Sequence, residues 1–313
     1  MIRRHFTGMA LAGIAMPGLG ACPAAQAQDW KTQVKELRIG LLGGENTQSR
    51  LARYDGFRHL LQDRLGLPVK LFPAADYAGV MQAMAAGQLD IAEFSPSAFA
   101  GAWLDCKCID PVVVPLEKDG TVYYIAVMLT RKDSGITSIE QMKGHSLAFA
   151  DPNSASGYLI PAASLRRQGI DLADGAYFSH TGFAGGHEQG IIAVLNRQYD
   201  ACVTWTSGQG DIAEGYSRGA LRAMVDRGML KMSDVTIIWR SGRLPNGPWG
   251  VRSALPPGLK AAFRDFMLDL PKSHKDVYDA VEQGTGVGYV PATMDLYKDI
   301  IDLREAGRRG NRG

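Results

Sequence analysis

From Leu37 onward, short apolar runs alternate with segments of helical period, and this alternation constrains the fold more than any other feature of the chain. Leu37–Leu42 reads as a strand. Arg50–Leu65 carries apolar residues at Leu51, Tyr54, Phe57, Leu60 and Leu61, which is a helix period. Val69–Phe72 reads as a strand, Tyr77–Ala86 as a helix stopped near Gly87, Leu89–Phe94 as a strand and Ser97–Leu104 as a helix. Strands separated by helices run parallel, so this βαβαβ order builds a mostly parallel sheet covered by helices. The fold class is α/β.

The rhythm then restarts. Val122–Thr130 is a long apolar run, followed by Ser138–Met142, the strand Ser146–Ala150 and the helix Tyr158–Gln168. Gly190–Asn196 reads as a helix, Tyr199–Trp205 and Val235–Ser241 as strands, and Pro256–Leu270 as a helix. With 313 residues, 46% of them apolar, the chain can bury two modest cores. No internal repeat or low-complexity linker divides it. The two long strands, Val122–Thr130 and Val235–Ser241, are therefore expected to cross between two lobes. The expected division is residues 28–125 plus 242–313 for lobe 1 and residues 126–241 for lobe 2. Two α/β lobes on two crossing strands make a hinge with a cleft, where small ligands bind.

Residues 1–27 read as a removable leader. Arg3 and Arg4 precede an uncharged apolar run from Phe6 to Ala21, and Ala25-Gln26-Ala27 offers a cleavage site before Gln28. The run is too short for a membrane span. Arg3-Arg4-His5-Phe6 is similar to part of a twin-arginine signal, and Leu19-Gly20-Ala21-Cys22 to a lipoprotein box; soluble periplasmic export is the expectation, with the twin-arginine system as one route and a lipid anchor as the alternative. Losing two Arg leaves 34 − 2 = 32 basic against 32 acidic residues. Such a balance favours neither nucleic acid nor a strongly charged partner. Arg308 to Arg312 reads as a solvated tail. Cys106, Cys108 and Cys202 would remain, permitting one disulfide and one free thiol in an oxidising compartment. Cys106-Lys107-Cys108 lacks the second half of a zinc site. No metal or other cofactor is expected.

The most informative stretch is Asp151-Pro152-Asn153-Ser154-Ala155-Ser156-Gly157-Tyr158-Leu159-Ile160-Pro161, which follows a strand and opens a helix. Hydroxyls there serve as caps. Free N–H groups and the helix dipole equally suit an anion. The stretch resembles the signature D-P-N-S-x-S-G-[FY]-L-x-P of the phosphonate-binding periplasmic proteins of ABC importers. Asp76-Tyr77-Ala78-Gly79, Gln88-Leu89-Asp90-Ile91-Ala92, Gly186-His187-Glu188 and Gln198-Tyr199-Asp200 are similar to further motifs of that family, in the family's order. The resemblance runs from about Leu37 to about Trp239.

The resemblance implies a two-lobed periplasmic binding protein (type II-like), each lobe a mostly parallel sheet with flanking helices. It implies a monomer that binds a small phosphonate-like oxyanion and hands it to an ABC permease in the inner membrane. Phosphate, phosphite or another oxyanion is the alternative ligand, and a periplasmic sensor the alternative role. Carried over, the family pattern makes Tyr77, Ser154, the Ala155 amide, Ser156 and His187 the cradle. Ala155 stands where the family often has Thr, and Phe94 where aminoalkylphosphonate binders have Tyr; Ser95 and Ser97 are candidates to compensate. A surface-loop His187 and a Tyr77 that only packs its helix are the alternatives to these roles. Thr47 and Ser49 suit helix caps, and Trp205 and Trp249 suit either core or cleft wall. No complete catalytic set is present, because His187-Glu188 has no recognisable nucleophile and the serine stretch is not G-x-S-x-G. Relatives that take aminoalkylphosphonates hold the ammonium with acidic residues. The matching places here are Ser207 and Pro245-Asn246-Gly247-Pro248, which implies a ligand without an amine unless Asp211 or Glu214 folds inward.

Overall fold

The computed structural model describes residues 30–310, so the leader over residues 1–27 and the lipid-anchor reading at Cys22 lie outside the described residues. The first sheet contains β1 (Leu37–Leu41), β2 (Val69–Pro73), β3 (Ile91–Glu93), β4 (Ile109–Leu116), β11 (Trp249–Arg252) and β12 (Gly288–Pro291). Its spatial order is β12-β4-β11-β3-β1-β2. The second sheet runs β10 (Leu244–Pro245), β5 (Tyr123–Arg131), β8 (Ala201–Thr206), β6 (Ser146–Phe149), β7 (His180–Phe183), with β9 (Val235–Arg240) also paired to β5.

Local chemistry sets these elements. Helix α1 (Thr47–Leu65) starts at Asn46, whose side chain accepts from the Ser49 N–H, and stops at Gly66 in the left-handed conformation. Its Tyr54, Phe57, Leu61 and Leu65 recur at three- and four-residue spacing and pack on Leu37, Ile39 and Leu41 of β1. Each fully buried side chain of this size contributes about 1.5–3 kcal/mol. The other face of the sheet packs on helices α2 (Tyr77–Ala85) and α3 (Pro96–Cys106) through Val80, Met84, Leu89 and Phe99. In the second lobe a five-residue π-helical turn, Ala155–Leu159, leads into α4 (Ile160–Arg167), and α5 (His187–Leu195) and α6 (Ala220–Asp226) follow. Helices α7 (Pro257–Ser273), α8 (Lys275–Val281) and α9 (Lys298–Gly310) return to the first lobe.

Three expectations are corrected. Both sheets are mixed. β1–β2, β1–β3, β6–β7 and β6–β8 are parallel, while β11 and β12 in the first sheet and β5 in the second pair antiparallel. β5 and β11 directly follow the passages between lobes, and β12 follows two helices near the C-terminus, places that the βαβ pattern does not cover. Second, the two long apolar runs do not cross. β5 and β9 lie side by side in the second sheet, with Thr130 opposite Thr236. β5 is interior, flanked by β8 and β9, and mostly buried, whereas β9 is largely half-buried. The chain passes between the sheets in the short segments 117–122 and 246–248. Third, Arg308 is not a loose tail. It is in α9, donates to the Gly101 carbonyl and pairs with Asp105.

Cys106 and Cys108 form a disulfide across the left-handed Lys107, and Cys202 is a buried free thiol. No helix among the described residues is long and apolar enough to cross a membrane.

Candidate functional site

The lobes face one another across a cleft of about 950 Å³, counting the part open to solvent. Helix starts from both lobes collect at it. Asp76 caps α2 by accepting from the Gly79 N–H at 2.8 Å, and Ser95 caps α3 by accepting from the Ala98 N–H at 3.1 Å. Ser154 caps the π turn by accepting from the Gly157 N–H at 2.9 Å. Gly186 precedes α5, whose first residue is His187. Unpaired N–H groups and dipole ends that point into one space favour an anion without any neighbouring cation.

Tyr77, Phe94, Ser95, Ser154, Ser156 and His187 all line the cleft. Ala155 is fully buried at the head of the π turn and is not on the lining. The Tyr77 hydroxyl interacts with Ser154, and the Tyr124 hydroxyl with Ser156. Burial pushes the Tyr77 phenol well up and that of Tyr124 up to about 12, so both remain protonated donors at neutral pH. His187 is 8% exposed, and its Nε2 lies 3.3 Å from Ser154 Oγ. Burial pushes its pKa down to about 4, so the ring is neutral at pH 7. Its Nδ1 is buried without a partner. The set is one of neutral hydroxyl and imidazole groups, suited to grip an oxyanion by hydrogen bonds.

Gly157 leaves no room for a side chain; a Cβ there would meet Ala150 Cβ, and Ser154 Oγ at 2.8 Å. Ser97 does not face the ligand space. It accepts from Arg304, which also donates to Asn153 Oδ1 at 2.9 Å across the lobes. Ser95 Oγ is 3.4 Å from the Asn153 carbonyl, and the Tyr77 N–H is 3.3 Å from Asp151 Oδ2. These contacts hold the lobes together in this form. Thr47 and Ser49 belong to the first turn of α1 behind the Asn46 cap, outside the lining. Trp205 walls the cleft, whereas Trp249 is 0% exposed in the core. Asp211 and Glu214 are exposed: Asp211 caps the Ala213 N–H, and Glu214 pairs with Arg222.

The sequence reading missed a charged wall. Glu45, Arg53, Glu93, Glu188, Arg218, Arg227 and Glu282 also line the cleft. Arg53 pairs with Glu45, and Arg227 with Glu188. Buried Arg218 pairs with both Glu117 and Glu282 and donates to Asn246 Oδ1 at 2.8 Å. Glu117 and Asn246 sit in the two passages between lobes, so this network pins both at once. Glu93 accepts from the Tyr54 hydroxyl. Apart from Glu188, which belongs to the Gly186-His187-Glu188 stretch, these residues carry no motif, and space alone brings them together.

Residues 39–297 match the family described as ABC transporter, phosphonate, periplasmic substrate-binding protein. The chain is 28% identical to the phosphate-import protein PhnD of Mycolicibacterium smegmatis, over 71% of this chain and 67% of that protein. It is 28% identical to the phosphonates-binding periplasmic protein of Escherichia coli, over 87% and 76%. A crystal structure of a binding-protein component of an ABC phosphonate transporter from Pseudomonas aeruginosa superposes with a TM-score of 0.74 at 25% identity, covering 88% of this chain and 87% of that one. The PhnD1 protein of Prochlorococcus marinus in complex with methylphosphonate shares the fold, with a TM-score of 0.74 at 21% identity over 89% and 99%.

Proposed function

Because the chain belongs to the family of periplasmic substrate-binding proteins of phosphonate ABC transporters, we propose that it captures a small phosphonate-like oxyanion between its lobes and delivers it to an inner-membrane permease. The observation that carries the reading is the convergence of Ser154, Ser156, Tyr77 and His187 with helix starts from both lobes. The ligand oxygens would take hydrogen bonds from Ser154, Ser156, Tyr77, His187 and the free N–H groups of the π turn, including that of Ala155. Phe94 and Trp205 would wall the site against water. A binding cycle needs no bond to be broken, and in this reading the protein is a periplasmic carrier acting as a monomer, not an enzyme.

Related chains are named for phosphate, phosphonate and phosphite, so these define the ligand panel. A thermal-shift screen should use methylphosphonate, phosphate and phosphite, with sulfate as control. A ligand at 100 times its Kd stabilises the fold by about 2.7 kcal/mol. Ser154→Ala and Ser156→Ala should each weaken binding of the hit by about 1.5–3 kcal/mol in calorimetry. Unchanged affinity in both variants would move the site elsewhere and leave Ser154 as a cap only.

A further inference from the structure

Four guanidinium groups line the cleft, and three of them have carboxylate partners. Arg53 pairs with Glu45, Arg227 with Glu188, and Arg218 with Glu117 and Glu282. Arg50 pairs with no carboxylate among the described residues, although it is only 1% exposed. Its Nη1 donates to the Leu42 carbonyl and its Nη2 to the Ala74 carbonyl at 2.8 Å, while its Nε is buried without a partner. Carbonyl dipoles receive the N–H groups but leave the unit charge unmatched. Arg50 also lies in the first turn of α1, where the helix dipole already presents its positive end. Burial pulls its pKa down, and the attraction of Glu45 does not make this up. A guanidinium nevertheless keeps its proton in a protein. A buried charge without a counter-ion is costly to hold, and an anion entering the cleft removes that cost.

The placement suits that role. Leu42 leads into Gly43, Gly44 and Glu45 of the lining, and Ala74 leads into the Asp76 cap and Tyr77. One guanidinium thus ties together two loops of the first lobe that face the ligand. Arg50 and Tyr77 lie near enough to act on one another electrostatically, and Tyr77 reaches Ser154 of the cradle. Glu93, the lining carboxylate without a basic partner among the described residues, bonds the Tyr54 hydroxyl instead. Burial pushes its pKa up to about 7, so near neutrality it offsets only part of a charge.

We infer that Arg50 sets the charge state of the ligand: as a buried cation unmatched within the protein, it makes the cleft select a doubly ionised oxyanion over a singly ionised one. The inference rests on the oxyanion reading above and adds to it the ionisation form that the cleft takes. Arg50 acts through its field, since both Nη groups are already held by carbonyls. The neutral donors of the cradle serve either form through hydrogen bonds, whereas a fixed charge discriminates by the charge it meets. Across several ångströms at an effective dielectric of about 20, one unit of charge changes affinity on the order of tenfold.

The test is calorimetric titration of methylphosphonate at pH 5.5 and pH 8.5. The second proton of such a group leaves near neutrality, as that of a phosphate ester does at about pH 6, so the ligand is singly ionised at the lower pH and doubly ionised at the higher. In the unaltered protein the affinity should rise about tenfold or more between the two. In Arg50→Gln that rise should be about tenfold smaller. Arg50→Lys keeps the charge but cannot span both carbonyls, so it should bind more weakly at both pH values and keep the rise. The ionisable groups around Arg50 are Glu45, Arg53 and Tyr54 from α1 and the loop before it, and Tyr77 from α2. They and Glu93 are present in every form compared, so their own titration cancels. An unchanged rise in Arg50→Gln, or a rise lost equally in Arg50→Lys, would make Arg50 a structural clamp and overturn the inference while the oxyanion reading stands. Should Arg50→Gln not fold, the unaltered protein and Arg50→Lys decide, and a flat response in either overturns it. If methylphosphonate binds at neither pH, the oxyanion reading fails and takes this one with it.

Discussion

His187 shows what burial does to a single titratable side chain. Its pKa falls to about 4 in the fold against about 6.5 in the unfolded chain. The unfolded state therefore binds the extra proton first. The stability that His187 contributes is complete above pH 6.5 and drains away as pH falls toward 4. Glu93 acts in the opposite sense, because its folded pKa of about 7 lies above the unfolded value of about 4.3. Its contribution is complete below that unfolded value and is lost as pH rises through 7. The two partly cancel between pH 7 and 5, so the unaltered protein hides both. Chemical denaturation of His187→Gln should reveal His187: on going from pH 7 to pH 5 the variant should lose about 2 kcal/mol less than the unaltered chain. Parallel pH dependences would mean that the ring already titrates normally. At this scale the Ser154 cap and the helix start that follows it were legible, because capping is local chemistry written in adjacent residues from Asp151 to Gly157, while Tyr77 and His187 were grouped with them by the family resemblance alone. Glu93, Arg218 and Glu282 were not. Arg218 meets Glu117 from 101 residues away, and no short pattern encodes such a meeting.

Among the elements, α5 shows how a helix start is used twice. Its first residue supplies His187, and Gly186 before it touches the loop between β1 and α1 in the other lobe. A Cβ on Gly186 would overlap Gly44. The φ of Gly186 is 168°, extended backbone that any residue adopts, so alanine is not strained there by its own conformation. The clash with Gly44 exists only while the lobes are shut, and the other close atom, Gln189 Oε1, is the end of a flexible side chain that can turn aside. Gly186→Ala should therefore cost about 1–3 kcal/mol of ligand binding, the usual penalty of overpacking, with little change in the melting temperature of the free protein. A variant that melts early would instead make Gly186 a folding requirement. Element patterns were readable where a strand or helix carried its period alone, as in β1, α1 and β5. β4 was missed because Pro111 and Pro115 interrupt its apolar run, and proline argues against an interior strand. The sheet accommodates Pro111 by a register shift opposite Trp249 and Gly250.

For the whole molecule, the contacts of Arg304 and Ser95 with Asn153, and of the Tyr77 N–H with Asp151, describe a shut form. Ligand should draw the free protein toward it about the passages at 117–122 and 246–248. Small-angle scattering with and without a ligand found by the thermal-shift screen should show a smaller radius of gyration when bound. Superimposable profiles would argue against a moving cleft. That two α/β units exist was legible from the rhythm that restarts after residue 121. Where the chain crosses between them was not, since a six-residue and a three-residue passage carry no hydrophobic period at all.

The contact between Gly44 and Gly186 bears on how fast ligand can be exchanged. Two backbones meet there, with no side chain on either to be ordered before the mouth shuts or disengaged before it opens. Ordering a long side chain costs up to about 2 kcal/mol, and at this point that cost is absent in both directions. The gate can then keep pace with the rigid-body motion of the lobes, on the microsecond to millisecond scale. How long a bound molecule stays is left to the strength of its own hydrogen bonds in the cleft, a division that lets a carrier hold its cargo and still release it promptly when a partner pulls the lobes apart.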